Sequence, residues 1–273
     1  MTNTNRAARG RLRTFLLTVS IVMSIQTLMP IQTWAQGSAD WQLEKMPADL
    51  ETDFALSALP PHLRNEATVY LLDPQRGYYI AHQGSNGYVC FVSRTDWEWA
   101  EFRKDLCTPI SYDAEGARTI FQVYLDVAAM RASGKFQAAQ VRDSVVSRIA
   151  HGVYKAPSKP GISYMLAPVM RVYPGLPDEK RVVTVSGPHY MLYAPYLTSE
   201  NARYKPGTQG LNLNNAGHWV LGEGKGPFGY IIIPANESEK AVIVGDGADL
   251  LKRLVAYKDY FKVEPGGMHH HDH

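Results

Sequence analysis

Thr68-Val69-Tyr70-Leu71-Leu72-Asp73-Pro74-Gln75-Arg76-Gly77-Tyr78-Tyr79-Ile80-Ala81 decides the fold class. Two runs rich in β-branched, aromatic and aliphatic residues flank Asp73 to Gly77, where proline presets one turn dihedral and glycine accepts a positive one. The segment predicts a β-hairpin. Gly84-Ser85-Asn86-Gly87 is a second turn signal, because Asn and Gly both tolerate positive φ, and Tyr88-Val89-Cys90-Phe91-Val92 is a third strand. The expectation is a three-stranded meander.

Working outward, the period changes from two to 3.6. Asp113 is placed to cap a helix carrying Ile120, Val123, Tyr124, Val127 and Met130 on one face, and Ser133-Gly134 ends it. A second helix starts near Gln137, turns Val141, Val145, Val146 and Ile149 inward, and stops near Gly152. Together they predict a helical hairpin. Strands are then expected over 162–170, 181–185, 190–194, 230–233 and 241–244, with 199–227 as one long Gly- and Asn-rich loop. Short helices are expected over 50–59, before Pro60-Pro61, and over 248–257. The sum is an α+β fold: an antiparallel sheet of about eight strands packed against a helical hairpin, with a C-terminal helix.

The chain of 273 residues is 45% hydrophobic and 20% charged, which excludes wholesale disorder and a polytopic membrane protein. Four arginines, Arg6, Arg9, Arg11 and Arg13, and no acid fall in the first 35 residues, leaving 24 basic against 26 acidic side chains elsewhere. A nearly neutral body gives no electrostatic case for nucleic acid. The arginines precede an apolar stretch from Phe15 to Ile25, and Thr33 and Ala35 suit the small-residue positions of a signal-peptidase site. Residues 1–35 are therefore expected to be a signal peptide cleaved after about Ala35, an uncleaved anchor being the alternative. Residues 36–265 are read as a single α+β domain, periplasmic or secreted, with no membrane span after cleavage. Residues 266–273 are read as a flexible His-rich tail.

Cys90 and Cys107 are the two cysteines. In an oxidising compartment they are expected to form a disulfide, worth on the order of 3 kcal/mol for a loop of this length. Neither sits in a CxxC motif or at metal-ligand spacing.

Candidate chemistry is sparse. Ser186-Gly187-Pro188-His189-Tyr190 offers a nucleophile and a base only if a third, orienting group is brought near; the alternative is a strand corner with His189 bonded to a nearby carbonyl. His218-Trp219, at the end of the Asn/Gly loop, is a candidate ligand-contacting tip. Trp97 and Trp99 beside Asp96, Glu98 and Glu101 are a candidate sugar-stacking or acid/base site, which carboxylate separation in space decides. Glu223-Gly224-Lys225-Gly226 lacks the phosphate-loop pattern. His269, His270, His271 and His273 are a weak candidate metal site, since neutral imidazole binds Zn²⁺, Ni²⁺ and Cu²⁺.

The segment Gly84-Ser85-Asn86-Gly87-Tyr88-Val89-Cys90, the later Cys107, and Pro188-His189-Tyr190-Met191-Leu192-Tyr193-Ala194-Pro195 resemble a group of uncharacterised bacterial exported proteins, over about residues 67–196. The resemblance implies export and assigns no activity, cofactor or catalytic residue. The resulting expectation is an exported binding or envelope-associated protein without catalysis or cofactor. Its partner is an unknown small ligand or envelope component, contacted by His189, Tyr190, His218 and Trp219. Two alternatives stand: a hydrolase using His189 with Ser186 or an acid elsewhere in the chain, and a metal-binding protein working through the tail.

Overall fold

The computed structural model describes residues 43–173, 181–197 and 226–263, and the backbone of 212–215. Strands β1 (Thr68–Asp73), β2 (Gly77–His82), β3 (Val89–Ser93) and β4 (Thr108–Tyr112) form one sheet in the order β2-β1-β3-β4. Strands β5 (Ile162–Met165), β8 (His189–Tyr193), β9 (Asn212–Asn215) and β10 (Gly229–Pro234) form a second, ordered β5-β8-β10-β9; β6 (Met170–Val172) and β7 (Val183–Val185) pair separately. The fold is α+β, but its strands are divided among three sheets rather than joined in one of eight.

Four local causes account for the differences. The hairpin β1–β2 forms as expected, with Gly77 at φ 91°, but β3 returns on the far side of β1 and runs parallel to it, so the meander is absent. Gly84 makes the crossing possible: a Cβ there would come within 2.1 Å of the Glu66 carbonyl oxygen. Residues 162–170 split into β5 and β6 because the Leu166 amide donates instead to Ala58 O, at 3.1 Å. The run 241–244 is helical, since Asn236 accepts from the Glu239 amide and caps the helix that contains it. Finally, the long loop yields an edge strand, β9, paired to β10.

Helices α1 (Ala48–Leu56), α2 (Pro61–Arg64), α3 (Ala114–Arg118), α4 (Phe121–Ala132), α5 (Ala138–Ala150), α6 (Glu237–Asp246) and α7 (Ala248–Tyr257) complete the described elements. Alternation along β3 shows how the first sheet is covered. Val89 and Phe91 join the core under α4 and α5, while Cys90 and Val92 join a second core under α1 and α7. Arg253 of α7 holds α1 through Asp53 and Asp49, at 2.5 and 2.9 Å. Among the described residues no helix is long and apolar enough to cross a membrane.

The two sheets meet edge to edge at β4 and β5, mostly through side chains and with one backbone bond. Ser111 Oγ donates to Tyr164 O (3.0 Å) and accepts from Tyr164 N (3.1 Å), while Ser163 Oγ donates to Ser111 O (2.5 Å). Asp113 Oδ2 accepts from Ile162 N at 2.9 Å, and Asp113 N donates to Ile162 O at 3.3 Å.

The expected Cys90–Cys107 bridge is absent: both are free, buried thiols. Strand register supplies the reason. Cys90 lies opposite Ser111, and Cys107 is four positions further along that strand, roughly 13 Å away at the strand rise. A disulfide needs Cα atoms within about 7 Å. Burial raises both thiol pKa values, which removes them as nucleophiles at neutral pH.

Glu51 of α1 is almost fully buried and accepts the Leu72 amide at 3.0 Å. Burial pushes its carboxyl up to about 7, against that hydrogen bond and the charges of Arg94 and Lys45. Between the ordinary carboxylate value and about 7, the native chain holds a proton that the unfolded chain has lost, so stability falls as pH rises through that window. Glu51→Gln keeps the acceptor and removes the charge. Urea titrations of this variant are expected to show a flatter pH dependence and a gain of up to ~3 kcal/mol at about pH 8 relative to wild type.

Candidate functional site

A cleft of about 490 Å³ opens between the two larger sheets. Period-two alternation builds its walls. On β4, Thr108, Ile110 and Tyr112 face inward; on β8, His189 and Met191; on β10, Tyr230 and Ile232. The register aligns them, with Met191 opposite Ile232 on one side and Ser163 on the other, and Met165 opposite His189. Tyr124 of α4 closes the floor, and Trp99 and Tyr173 stand at the wall near the turn Trp97–Trp99, their rings edge to face 6.4 Å apart. Trp99 remains 41% exposed.

The acid segment noted in the sequence enters this cleft. A 3₁₀ turn over Trp97–Trp99 ends at Ala100 in the left-handed region (φ 55°), and Glu101 N returns to Asp96 O at 3.3 Å. This tight reversal turns both Asp96 and Glu98 to the cleft, where they hydrogen-bond to each other. Glu98 is only 7% exposed. Burial pushes Asp96 up to about 6, the Glu98 hydrogen bond opposing the rise and Glu101 adding to it. Burial and the Asp96 charge hold Glu98 well above the usual carboxylate range. At neutral pH the pair therefore shares one proton and carries one negative charge. Two carboxyls in contact are too close for either glycosidase arrangement, which needs at least about 5 Å between them.

Behind the pair, the hydroxyls of Tyr112 and Tyr230 lie 3.0 Å apart, and Tyr124 bonds to Tyr112. Burial raises all three phenols far above neutrality, so they stay protonated and polar. The indole nitrogen of Trp97 is buried without a hydrogen-bond partner among the described residues.

Among the described residues, His189 is the one expected contact residue that lines the cleft. Its Nδ1 lies 2.7 Å from Gly187 O, and a carbonyl only accepts, so Nδ1 carries the proton. Burial lowers the imidazole pKa, against that bond, and the neutral ring presents a lone pair at Nε2. Tyr190 does not join it. As the next residue on the strand it points to the opposite face, where its hydroxyl bonds Glu239 and its ring meets Tyr164 at 5.7 Å. Ser186 Oγ is buried with no partner, so Ser186 and His189 form no nucleophile–base pair. His218, Trp219 and the tail histidines His269, His270, His271 and His273 lie outside the described residues. Among the described residues no group of three or more His, Cys, Asp or Glu is placed to hold a metal ion.

The residues that the sequence did not single out are Tyr112, Tyr124 and Tyr230 and the methionines Met165, Met170 and Met191. Alternation within each strand marks which side chains share a face, but only the pairing of distant strands brings those faces together.

The tautomer is open to direct measurement. Long-range proton–nitrogen NMR spectra are expected to show His189 as the neutral Nδ1–H form at about pH 7, titrating below the usual histidine midpoint of about 6.5. An imidazolium at neutral pH is the contrary result. Comparison with family models, with curated proteins and with solved structures finds no match, so the chemistry of the cleft itself is what points to function.

Proposed function

We propose that the chain is an exported binding protein, periplasmic or secreted, whose small-molecule ligand occupies the cleft between the two larger sheets. The observation that carries the reading is the lining. A space of about 490 Å³ is walled by aromatic and methionine side chains and holds a few convergent polar groups, Asp96, Glu98 and His189. That size and mixture are those of small-ligand sites. Methionine side chains adapt to irregular shapes and so suit a binding wall. Support for export is the charge and hydropathy pattern of residues 1–35.

Nile red, an uncharged dye whose emission shifts to the blue in apolar surroundings, serves as a probe. It is expected to bind the full chain with a blue shift. Ile232→Trp fills the cleft from a half-buried wall position, and is expected to weaken binding by at least about tenfold, or ~1.4 kcal/mol. Undiminished dye binding by this variant overturns the assignment of the cleft.

A second reading has one observation in its favour. The free Nε2 lone pair of the neutral His189 lies in the same cleft as a protonated carboxyl, Glu98, which gives a base and an acid in one site. On that reading the chain is a hydrolase in which His189 takes a proton from water and the acid pair protonates the leaving group. Chromogenic ester and amide substrates test it. Turnover that drops by about a hundredfold in His189→Ala supports the hydrolase, and no turnover above buffer removes it.

A further inference from the structure

We infer that the cleft is built for an organic cation, a ligand with an ammonium or amidinium head seated against Asp96 and an apolar body lying along the methionine wall. This rests on the cleft being a ligand site and adds the class of ligand. The inference comes from what the walls offer and what they omit. Among the described residues lining the cleft there is no lysine and no arginine. No described cation forms an ion pair with Asp96 or Glu98, and each is bonded to the other. Arg103, whose charge reaches Tyr173 on the cleft wall, pairs with Asp105 at 3.6 Å. Arg131, behind the wall, donates to Thr95 Oγ1 at 2.8 Å and Arg94 O at 2.5 Å.

A net negative charge in an apolar cleft is costly unless a counter-charge joins it. The remaining polar edge, His189 Nε2, accepts as well. Among the described residues the acceptors converge without a charged donor, and such a set selects a ligand that brings donors and positive charge. An anionic head would meet like charge. A neutral alcohol satisfies one acceptor and leaves the charge as it was. A metal ion would require more ligands than the described residues bring together. The rings of Trp99 and Tyr173 add aromatic surface to the same wall, and aromatic faces favour cations over neutral isosteres.

Occupancy should then depend on pH. The groups that face Asp96 are Glu98 and Glu101 from its own segment, Tyr173 after β6, Tyr124 of α4, and Tyr112, His189 and Tyr230 from the three walls. The phenols stay neutral throughout. On acidification Asp96 gains a proton near 6 and His189 becomes positive below its usual range, and both changes repel or release a cation. Affinity therefore rises with pH across this interval.

Three compounds on one frame provide the test: phenylbutylamine, phenylbutanol and phenylbutyrate, each titrated calorimetrically into the full chain and each competed against Nile red. The amine is expected to bind at least about tenfold tighter than the alcohol, with the carboxylate weakest. Its affinity is expected to fall by about fivefold or more between about pH 7.5 and about pH 5, while that of the alcohol stays level. Asp96→Asn should remove the preference, so that the amine and the alcohol bind this variant with about equal affinity. Should that variant fail to fold, the pH dependence of the wild-type chain decides the matter alone. Equal binding of amine and alcohol, or an affinity for amine that does not change with pH, overturns the cationic assignment and leaves the cleft as a ligand site. If none of the three displaces the dye and Ile232→Trp also leaves dye binding intact, both assignments fall together.

Discussion

The joint between β4 and β5 governs the rest of this structure. Where a continuous sheet would run backbone to backbone, the Ser111 hydroxyl pairs with the carbonyl and amide of Tyr164 and the Asp113 carboxylate with the amide of Ile162, leaving one backbone bond, from Asp113 N to Ile162 O. Ser111 and Ser163 are completely buried, so each of these hydrogen bonds satisfies groups that water cannot reach. Loss of one partner would strand the other at a cost of about 1–3 kcal/mol. Asp113 does the most. Its carboxylate accepts from Gly116 N to cap α3, from Ile162 N at the joint, and from the Tyr193 hydroxyl on the second sheet, all at 2.9 Å. One side chain thereby sets where the helical layer begins and how the two sheets sit against each other.

That joint explains the cleft. The joint fixes the two sheets side by side, and the inward residues of β4, β8 and β10 then line the cleft beside it. Gly161 shows how little slack remains at the joint itself, since a Cβ there would lie 2.4 Å from Asp113 Oδ2. Pro109 fits the same picture: β4 is the last backbone-paired strand of its sheet, and an edge position tolerates a residue with no amide donor.

What is legible in the sequence is what is local. The Asp73–Gly77 turn, the helices on either side of Ser133-Gly134 and the helix over 248–257 carry their own signals within a few residues, and each forms. The helix expected from Asp113 to Met130, however, is broken at Thr119 into α3, which Asp113 caps, and α4. What is not legible depends on distant chain. Nothing in Gly84 alone says that the chain crosses Glu66, and the apolar run Ala241–Val244 has strand character until Asn236 caps it from five residues upstream. Strand β4 is masked by its proline. The site divides along the same line. His189 is visible as an isolated histidine, and Asp96, Glu98 and Trp99 as an aromatic and acidic cluster, but their meeting requires two sheets to be placed edge to edge. The pairing of His189 with Tyr190 fails for a reason the sequence does contain, because neighbours on a strand face opposite ways.

Burial alone does not make a carboxyl functional, and Glu51 provides the internal comparison. Glu51, Asp96 and Glu98 all have raised pKa values with burial as the leading cause, so all three oppose folding as the pH rises. Glu51 is sealed between α1 and β1, takes a backbone amide as its partner, and opens on nothing; it fixes the helix to the strand through Leu72. Asp96 and Glu98 tie no helix to a strand: they bond to each other, and the Glu98 carboxyl takes only the backbone amide of its own residue. Their turn is held by the Asp96–Glu101 backbone pairing and by the left-handed Ala100, neither of which needs the carboxyl groups. Amides of the same shape would leave that turn intact and relieve the charge. The electrostatic cost of the carboxyls falls instead on the wall of the cleft, and strongly shifted carboxyls in a cleft are a pattern that functional sites share.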